Sequence, residues 1–275
     1  MDRRAESWHL TEAGSPLLKT TKAIFGQSLS GISNYAKILV IYGSAPPCSD
    51  LVRGFRDIIS GAFIDVSPPF SPAALRYELG DHHEYDFVEG TVLWPAAPEI
   101  KHHLSSDDET FAYFEPSSPS SVFSALQDLE AYVEEEGPFD GILAFSHGAT
   151  LAASFLIYKS QQRRTQKQLA LGFKCAIFIS GAPPVEFGGL REDGTTGSLH
   201  DLSDGELISV PTVHIWGRKD NSVASPLSDI TALYSQRITC LHDGGHEVPG
   251  PETKKALTDS VKAIRRVIDM AIAMP

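Results

Sequence analysis

Short apolar runs rich in branched residues punctuate this chain at intervals, and what lies between them is helical. KILVIYG (37–43), GILAFS (141–146), CAIFISG (175–181) and PTVHIWG (211–217) carry scarcely a polar residue, which suits strands buried on both faces rather than half-exposed ones. YDFVE (85–89) and RITCLH (237–242) read as further strands. Leu51, Val52, Phe55, Ile58 and Ile59 have helical spacing behind a capping Ser49 or Asp50. A second helix is expected over Pro72 to Leu79. In SSVFSALQDLEAYVEEEG, Val122, Leu126, Leu129 and Val133 mark one apolar helical face, which Gly137 closes. ATLAASFLIYKS, SPLSDITALYSQ and ETKKALTDSVKAIRRVIDMAIA supply three more helices. Strand and helix in repeated alternation predict an α/β chain, with a mainly parallel central sheet and helices on both of its faces.

Three stretches fall outside this rhythm. Residues 1–36 are mixed and weakly periodic, and are expected to form an extension with a short helix or to stay partly mobile. From Gly90 to Ser118 the composition turns to Pro, His, Ser, Asp and aromatics, and an irregular stretch of that length inside a domain commonly walls a pocket. Val185 to Glu206 is similar. No linker divides the remainder, so residues 37–275 are expected to form one domain.

Charge and cysteine content narrow the partners. With 35 acidic residues against 23 basic ones, the net charge of -12 argues against a general affinity for nucleic acid or anionic membrane. A small molecule is the better expectation. Cys48, Cys175 and Cys240 show no metal-ligand spacing, and the last two lie within strand-like runs, as buried reduced thiols of an intracellular protein would. The amino-terminal residues hold no apolar run of signal-peptide length and no later run reaches a membrane span, so a cytoplasmic location is expected.

The chemistry gathers where strands of a parallel sheet end. FDGILAFSHGAT sets Ser146 at the exit of one strand, in a G-x-S-x-G pattern whose first glycine is Ala144. Read alone, such a serine is as well explained as a helix cap. Asp220 follows a second strand, in GRKDNSV, and His246 follows a third, in HDGGHEVPG. A serine hydroxyl is a poor nucleophile until a base takes its proton; imidazole is suited to that near neutral pH, and a carboxylate holds the ring in the useful tautomer. Ser146 is thus the candidate nucleophile, Asp220 the acid and His246 the base. His242 is a rival base, although the Gly244-Gly245 pair before His246 favours the latter. The backbone N–H of His147, at the start of the following helix, is a candidate oxyanion donor, and its imidazole is expected to line a pocket. His82-His83 and His102-His103 have no partner at metal-binding spacing and are expected to be solvated or to line a pocket. Neither a metal nor a cofactor is implied.

With these residues in place, the chain resembles the fungal serine hydrolase (FSH) family of α/β-hydrolases. AALRYELG (73–80), YDFVEG (85–90), FAYFEP (111–116), EEGPFDGILAFSHGATLAASFL (135–156), ISGAPP (179–184), VPTVHIWGRKD (210–220) and GGHEVPG (244–250) carry the likeness. The family pattern sets its nucleophile, acid and base on Ser146, Asp220 and His246. It implies an α/β-hydrolase fold and a thioesterase or esterase that releases or trims a polyketide chain in fungal secondary metabolism. The substrate would be a small acyl compound, free or held on an acyl-carrier domain of a polyketide synthase. Relatives usually have a His-Gly dipeptide after the first central strand, whose loop completes the oxyanion hole. Here Gly43-Ser44 follows the better strand, with the Ser44 N–H as second donor, while Arg53-Gly54-Phe55 has the expected spacing inside a helix-like run. Trp94, Phe111, Tyr113 and Phe114 are available as pocket walls. The altered oxyanion loop leaves two other readings open: acyl transfer or cyclisation on the same scaffold, and a catalytically silent binding protein.

Overall fold

A computed structural model of the protein describes residues 7–11, 18–24, 36–41, 73–80, 83–95, 109–166, 172–185, 208–222 and 234–273. Among these residues the centre is an eight-stranded sheet in the order β1-β2-β4-β3-β7-β8-β9-β10. These strands are β1 (Ser7–Thr11), β2 (Leu18–Ile24), β3 (Lys37–Ile41), β4 (Glu84–Gly90), β7 (Gly141–Phe145), β8 (Cys175–Ile179), β9 (Thr212–Gly217) and β10 (Arg237–His242). From β4 across to β10 every neighbouring pair is parallel. A separate antiparallel pair, β5 (Val92–Leu93) with β6 (Phe111–Ala112), stands apart from this sheet.

The central strands form where the apolar runs predict them, and for the expected reason. All five residues of β7 are buried, so neither face needs polar side chains. Alternate residues feed two cores, one on each side of the sheet. Leu39, Ile41, Ile142, Ala144 and Phe178 face α2 (Pro119–Glu136) and α3 (His147–Gln166), among Leu126, Leu129, Leu151 and Phe155. Ile38, Val40, Leu143, Phe145, Ile177 and Ile215 face α1 (Ala73–Leu79) and α4 (Lys254–Ile272), among Leu75, Leu79, Val261 and Ile264. Burying one such side chain completely contributes about 1.5–3 kcal/mol. The helices show the matching stripe. In α4, Leu257, Val261, Ile264, Ile268 and Ala271 are buried at steps of three and four. In α2 the hydroxyl of Ser118 accepts from the Ser121 N–H at 3.3 Å and Pro119 occupies the first turn, which fixes the start.

The structure departs from the sequence expectation at the amino end. SWHLT and LKTTKAI are strands, not a short helix: β1 pairs antiparallel with β2, and β2 pairs antiparallel with β4. Short segments of this kind lack a helical stripe and take their order from cross-strand partners far along the chain. The stretch from Gly90 to Ser118 contains the β5–β6 pair, tied at its neck by Trp94 N–H to the Thr110 carbonyl at 2.9 Å. The predicted helix over 51–59 lies outside the described residues, as does most of SPLSDITALYSQ. At the end of that segment Tyr234 forms a bridge with Ile208 and packs against Phe178 and His214. Among the described residues no helix is long and apolar enough to cross a membrane.

Candidate active site

Ser146 is positioned by a strand that becomes a helix without a loop. Its N–H still donates across the parallel ladder to the Ile179 carbonyl at 2.9 Å. Its own carbonyl already accepts from Ala149 N–H at 3.0 Å and Thr150 N–H at 3.2 Å, which starts α3. One residue cannot serve both geometries in an ordinary conformation, and Ser146 has a left-handed φ of 54°. That costs a non-glycine residue about 1–2 kcal/mol, and here the surrounding ladder and helix impose it. Ala144 in place of the usual glycine is accommodated because it lies in the regular part of β7, opposite Ile41 and Phe178, and is not left-handed. Ser180, at the end of β8, turns in the same way with φ 47°. Gly181 then lets that exit lie against α3, since a Cβ there would come within 2.7 Å of the Ala149 methyl.

Asp220 and His246 come from the exits of β9 and β10, which are sewn together. Arg218 N–H donates to the His242 carbonyl at 2.8 Å and Lys219 N–H to the Gly244 carbonyl at 2.9 Å. The two turns can approach this closely because residue 217 is glycine: a Cβ there would collide with the carbonyl oxygens of both Gly244 and Gly245. His242 Nδ1 accepts from the Gly244 N–H at 3.2 Å, which shapes the turn from beneath. The rival histidine is thus a buried part of the loop's frame.

Three predicted residues meet at one point. His246 Nε2 lies 2.8 Å from Ser146 Oγ, and His246 Nδ1 lies 2.9 Å from Asp220 Oδ2. The Asp220 side chain is completely covered and that of His246 is 13% exposed, so the contacts are shielded from bulk water. Burial alone would raise the Asp220 carboxyl, but hydrogen bonds from His246 and Ser222, with the neighbouring imidazole, more than offset it and bring the pKa down to about 2. Asp220 is therefore a carboxylate at any ordinary pH. The ring of Phe145 sits 5.2 Å from the His246 imidazole, an apolar wall beside the Ser146 contact. A hydroxyl facing one imidazole nitrogen, with a carboxylate on the other, can lose its proton as it attacks a carbonyl.

His147 stands at the first position of α3, where early helical N–H groups lack intrahelical acceptors and can face an oxyanion. Its imidazole packs 4.2 Å from Phe114 and 6.0 Å from Tyr113, centroid to centroid. Both ring nitrogens are buried and find no hydrogen-bond partner among the described residues, and burial lowers the pKa to about 4. Tyr113 and Phe114 are themselves buried, with the Tyr113 hydroxyl donating to the Val88 carbonyl at 2.8 Å. Both pack against the His147 ring. Trp94 and Phe111 are half-buried at the β5–β6 pair. Ser44, Gly43 and the alternative Arg53-Gly54-Phe55 lie outside the described residues, as do Cys48, His82, His102 and His103. His83, expected to be solvated or to line a pocket, is buried beside Tyr85, ring edge to face at 6.2 Å. Cys175 is buried and Cys240 half-buried, and both are free thiols.

Sequence reasoning missed Ser222. Its N–H donates to Asp220 Oδ1 at 3.0 Å, its hydroxyl donates to the same oxygen at 2.5 Å, and its Oγ lies 2.7 Å from His246 Nδ1. The signal was present in the spacing, because an aspartate two residues before a serine commonly closes a small side-chain turn. Gly217 was also passed over, since its constraint comes from a loop distant in sequence.

A family model described as Serine hydrolase (FSH1) matches residues 71–259. Esterase FPY3 of Fusarium mangiferae is 32% identical over 204 residues, covering 73% of this chain and 89% of that protein. Hydrolase phiM of Fungal sp. (strain ATCC 74256) is 31% identical over 165 residues, covering 60% of this chain and 70% of that protein. Among solved structures, a carboxylesterase from Mesorhizobium loti superposes with a TM-score of 0.54 at 12% identity, over 91% of this chain and 97% of that one. That likeness shows the α/β-hydrolase fold.

Proposed function

This chain belongs to the serine hydrolase (FSH1) family, and on that footing we propose that it hydrolyses an acyl ester or thioester with Ser146 as nucleophile, His246 as base and Asp220 as orienting carboxylate. The observation that carries the proposal is the single imidazole of His246, bonded to Ser146 Oγ through one nitrogen and to Asp220 through the other. In the first step Ser146 Oγ bonds to the acyl carbon while its proton passes to His246 Nε2. The carbonyl oxygen becomes an oxyanion facing the His147 N–H. Collapse breaks the bond to the alcohol or thiol, which leaves with the proton from Nε2. Water then attacks the acyl-enzyme and gives a proton to Nε2; Nε2 passes it to Ser146 Oγ as the bond from Oγ to the acyl carbon breaks, which releases the acid and restores the serine.

The substrate class we propose is a polyketide intermediate, free or held on an acyl-carrier domain of a polyketide synthase. Its support is the likeness to fungal esterases and hydrolases, together with the aromatic residues of the 90–118 stretch. Trp94 and Phe111 would wall the acyl chain, with Tyr113 and Phe114 acting through His147. Free Cys175 and Cys240 suit a reducing compartment, and we place the enzyme in the cytoplasm.

Hydrolysis of short p-nitrophenyl esters and of acyl thioesters, followed with intact-mass detection, tests the reading. Ser146→Ala is expected to lower kcat/KM by about 10⁴-fold or more, and a fluorophosphonate should add its phosphonyl group, with loss of HF, to the wild type alone. Full activity in Ser146→Ala, or a wild type that takes up no phosphonate, would sink the proposal. A protein that bound acyl compounds without turning them over would be a silent binder.

A further inference from the structure

We propose that Ser222 is a fourth member of the relay, a positioning residue that closes a ring of hydrogen bonds with Asp220 and His246. The inference rests on the triad reading above.

Donor and acceptor counting leads to it. A hydroxyl has one proton, and Ser222 gives it to Asp220 Oδ1 at 2.5 Å. Toward His246 Nδ1, 2.7 Å away, Ser222 Oγ can then only accept. Asp220 Oδ2, 2.9 Å from the same nitrogen, is an ionised oxygen and likewise only accepts. Both partners of Nδ1 are acceptors, so Nδ1 carries the proton. In the neutral ring Nε2 is therefore bare, and it faces the Ser146 hydroxyl at 2.8 Å as the acceptor general-base catalysis needs. Asp220 alone would favour this tautomer through one oxygen. Ser222 makes the arrangement doubly determined.

Its second effect is on the carboxylate. Oδ1 is held by both the N–H and the hydroxyl of Ser222, at 3.0 and 2.5 Å, which fixes the plane of the group and leaves Oδ2 turned to the imidazole. When the ring takes the proton of Ser146, the positive charge on Nδ1–H meets two acceptors already in place, so little reorganisation accompanies the step. Ser222 itself is an exposed turn residue, outside both cores, which makes its substitution mild for the fold.

The test uses the full-length protein and a short p-nitrophenyl ester. Ser222→Ala is expected to lower kcat by about ten-fold, a change of ~1.4 kcal/mol in barrier, with KM altered by less than about two-fold because the hydroxyl acts in the proton transfer and not on the acyl group. Ser222→Thr keeps a hydroxyl and should restore most of the rate. By proton NMR, the His246 Nδ1–H resonance, identified by its loss in His246→Gln, should shift in Ser222→Ala and stay near its place in Ser222→Thr. A Ser222→Ala enzyme with wild-type kcat, or alanine and threonine variants with equal deficits, would overturn the inference. Ser146→Ala and Asp220→Asn in the same assay separate the two levels. If they are inactive while Ser222→Ala is fully active, only the role of Ser222 fails; if they are active, the triad reading fails and takes Ser222 with it.

Discussion

His246 Nε2 stands 2.8 Å from Ser146 Oγ across one hundred residues of chain. No local preference brings them together. The meeting depends on where β10 lies relative to β7, and on the clamp that holds the β9 and β10 exits side by side.

That clamp gives the first prediction. Gly217→Ala would place a methyl group against the carbonyl oxygens of Gly244 and Gly245, backbone atoms that cannot rotate away. Separating the turns should destabilise the protein by about 1–3 kcal/mol. It should also move His246 away from Asp220, so kcat is expected to fall further than the loss of folded protein accounts for. Denaturant midpoints read beside kcat per folded molecule check both.

The Asp220 carboxylate gives the second. Asp220→Asn keeps the shape and loses the charge, which should reduce kcat by about 10⁴-fold. Because hydrogen bonding and charge hold the folded pKa near 2 against an ordinary 3.8, the unfolded chain takes the proton first. The stability this group contributes is thus complete above about pH 4, and it is lost as pH falls from about 4 to about 2. Melting temperatures over that range should drop more steeply for the wild type than for Asp220→Asn.

His147 gives the third. Burial lowers its folded pKa from 6.5 to about 4, so between those values the unfolded state binds the extra proton. Stability should fall as pH drops through that window. His214, held down to about 3 by burial and then by Arg237, adds slope of the same sign. His147→Phe removes two buried nitrogens that have no partner among the described residues and should flatten only its own share, with stability at pH 7 unchanged or raised. Equal melting temperature curves for the two proteins from pH 7 to 4 would contradict this.

What the sequence determined by itself was whatever depends on neighbours along the chain. KILVI, GILAF, CAIFI and TVHIWG are strands because continuous apolar runs suit only positions covered on both faces, and the stripe of α4 is fixed by its three-and-four spacing. That Ser146, Asp220 and His246 would lie near one another was legible because a parallel sheet gathers its strand exits at one edge. Only the tertiary structure decided the rest. SWHLT and LKTTKAI became strands because β4 offered an unpaired edge. His242 became part of a loop frame and His246 the partner of Ser146 because the β9 exit pins the turn between them. Ser222 acquired two side-chain partners, Asp220 and His246, the second 24 residues away. A short contact between distant residues is set by packing and backbone geometry over the whole sheet, and it leaves almost no periodic trace in the residues that make it.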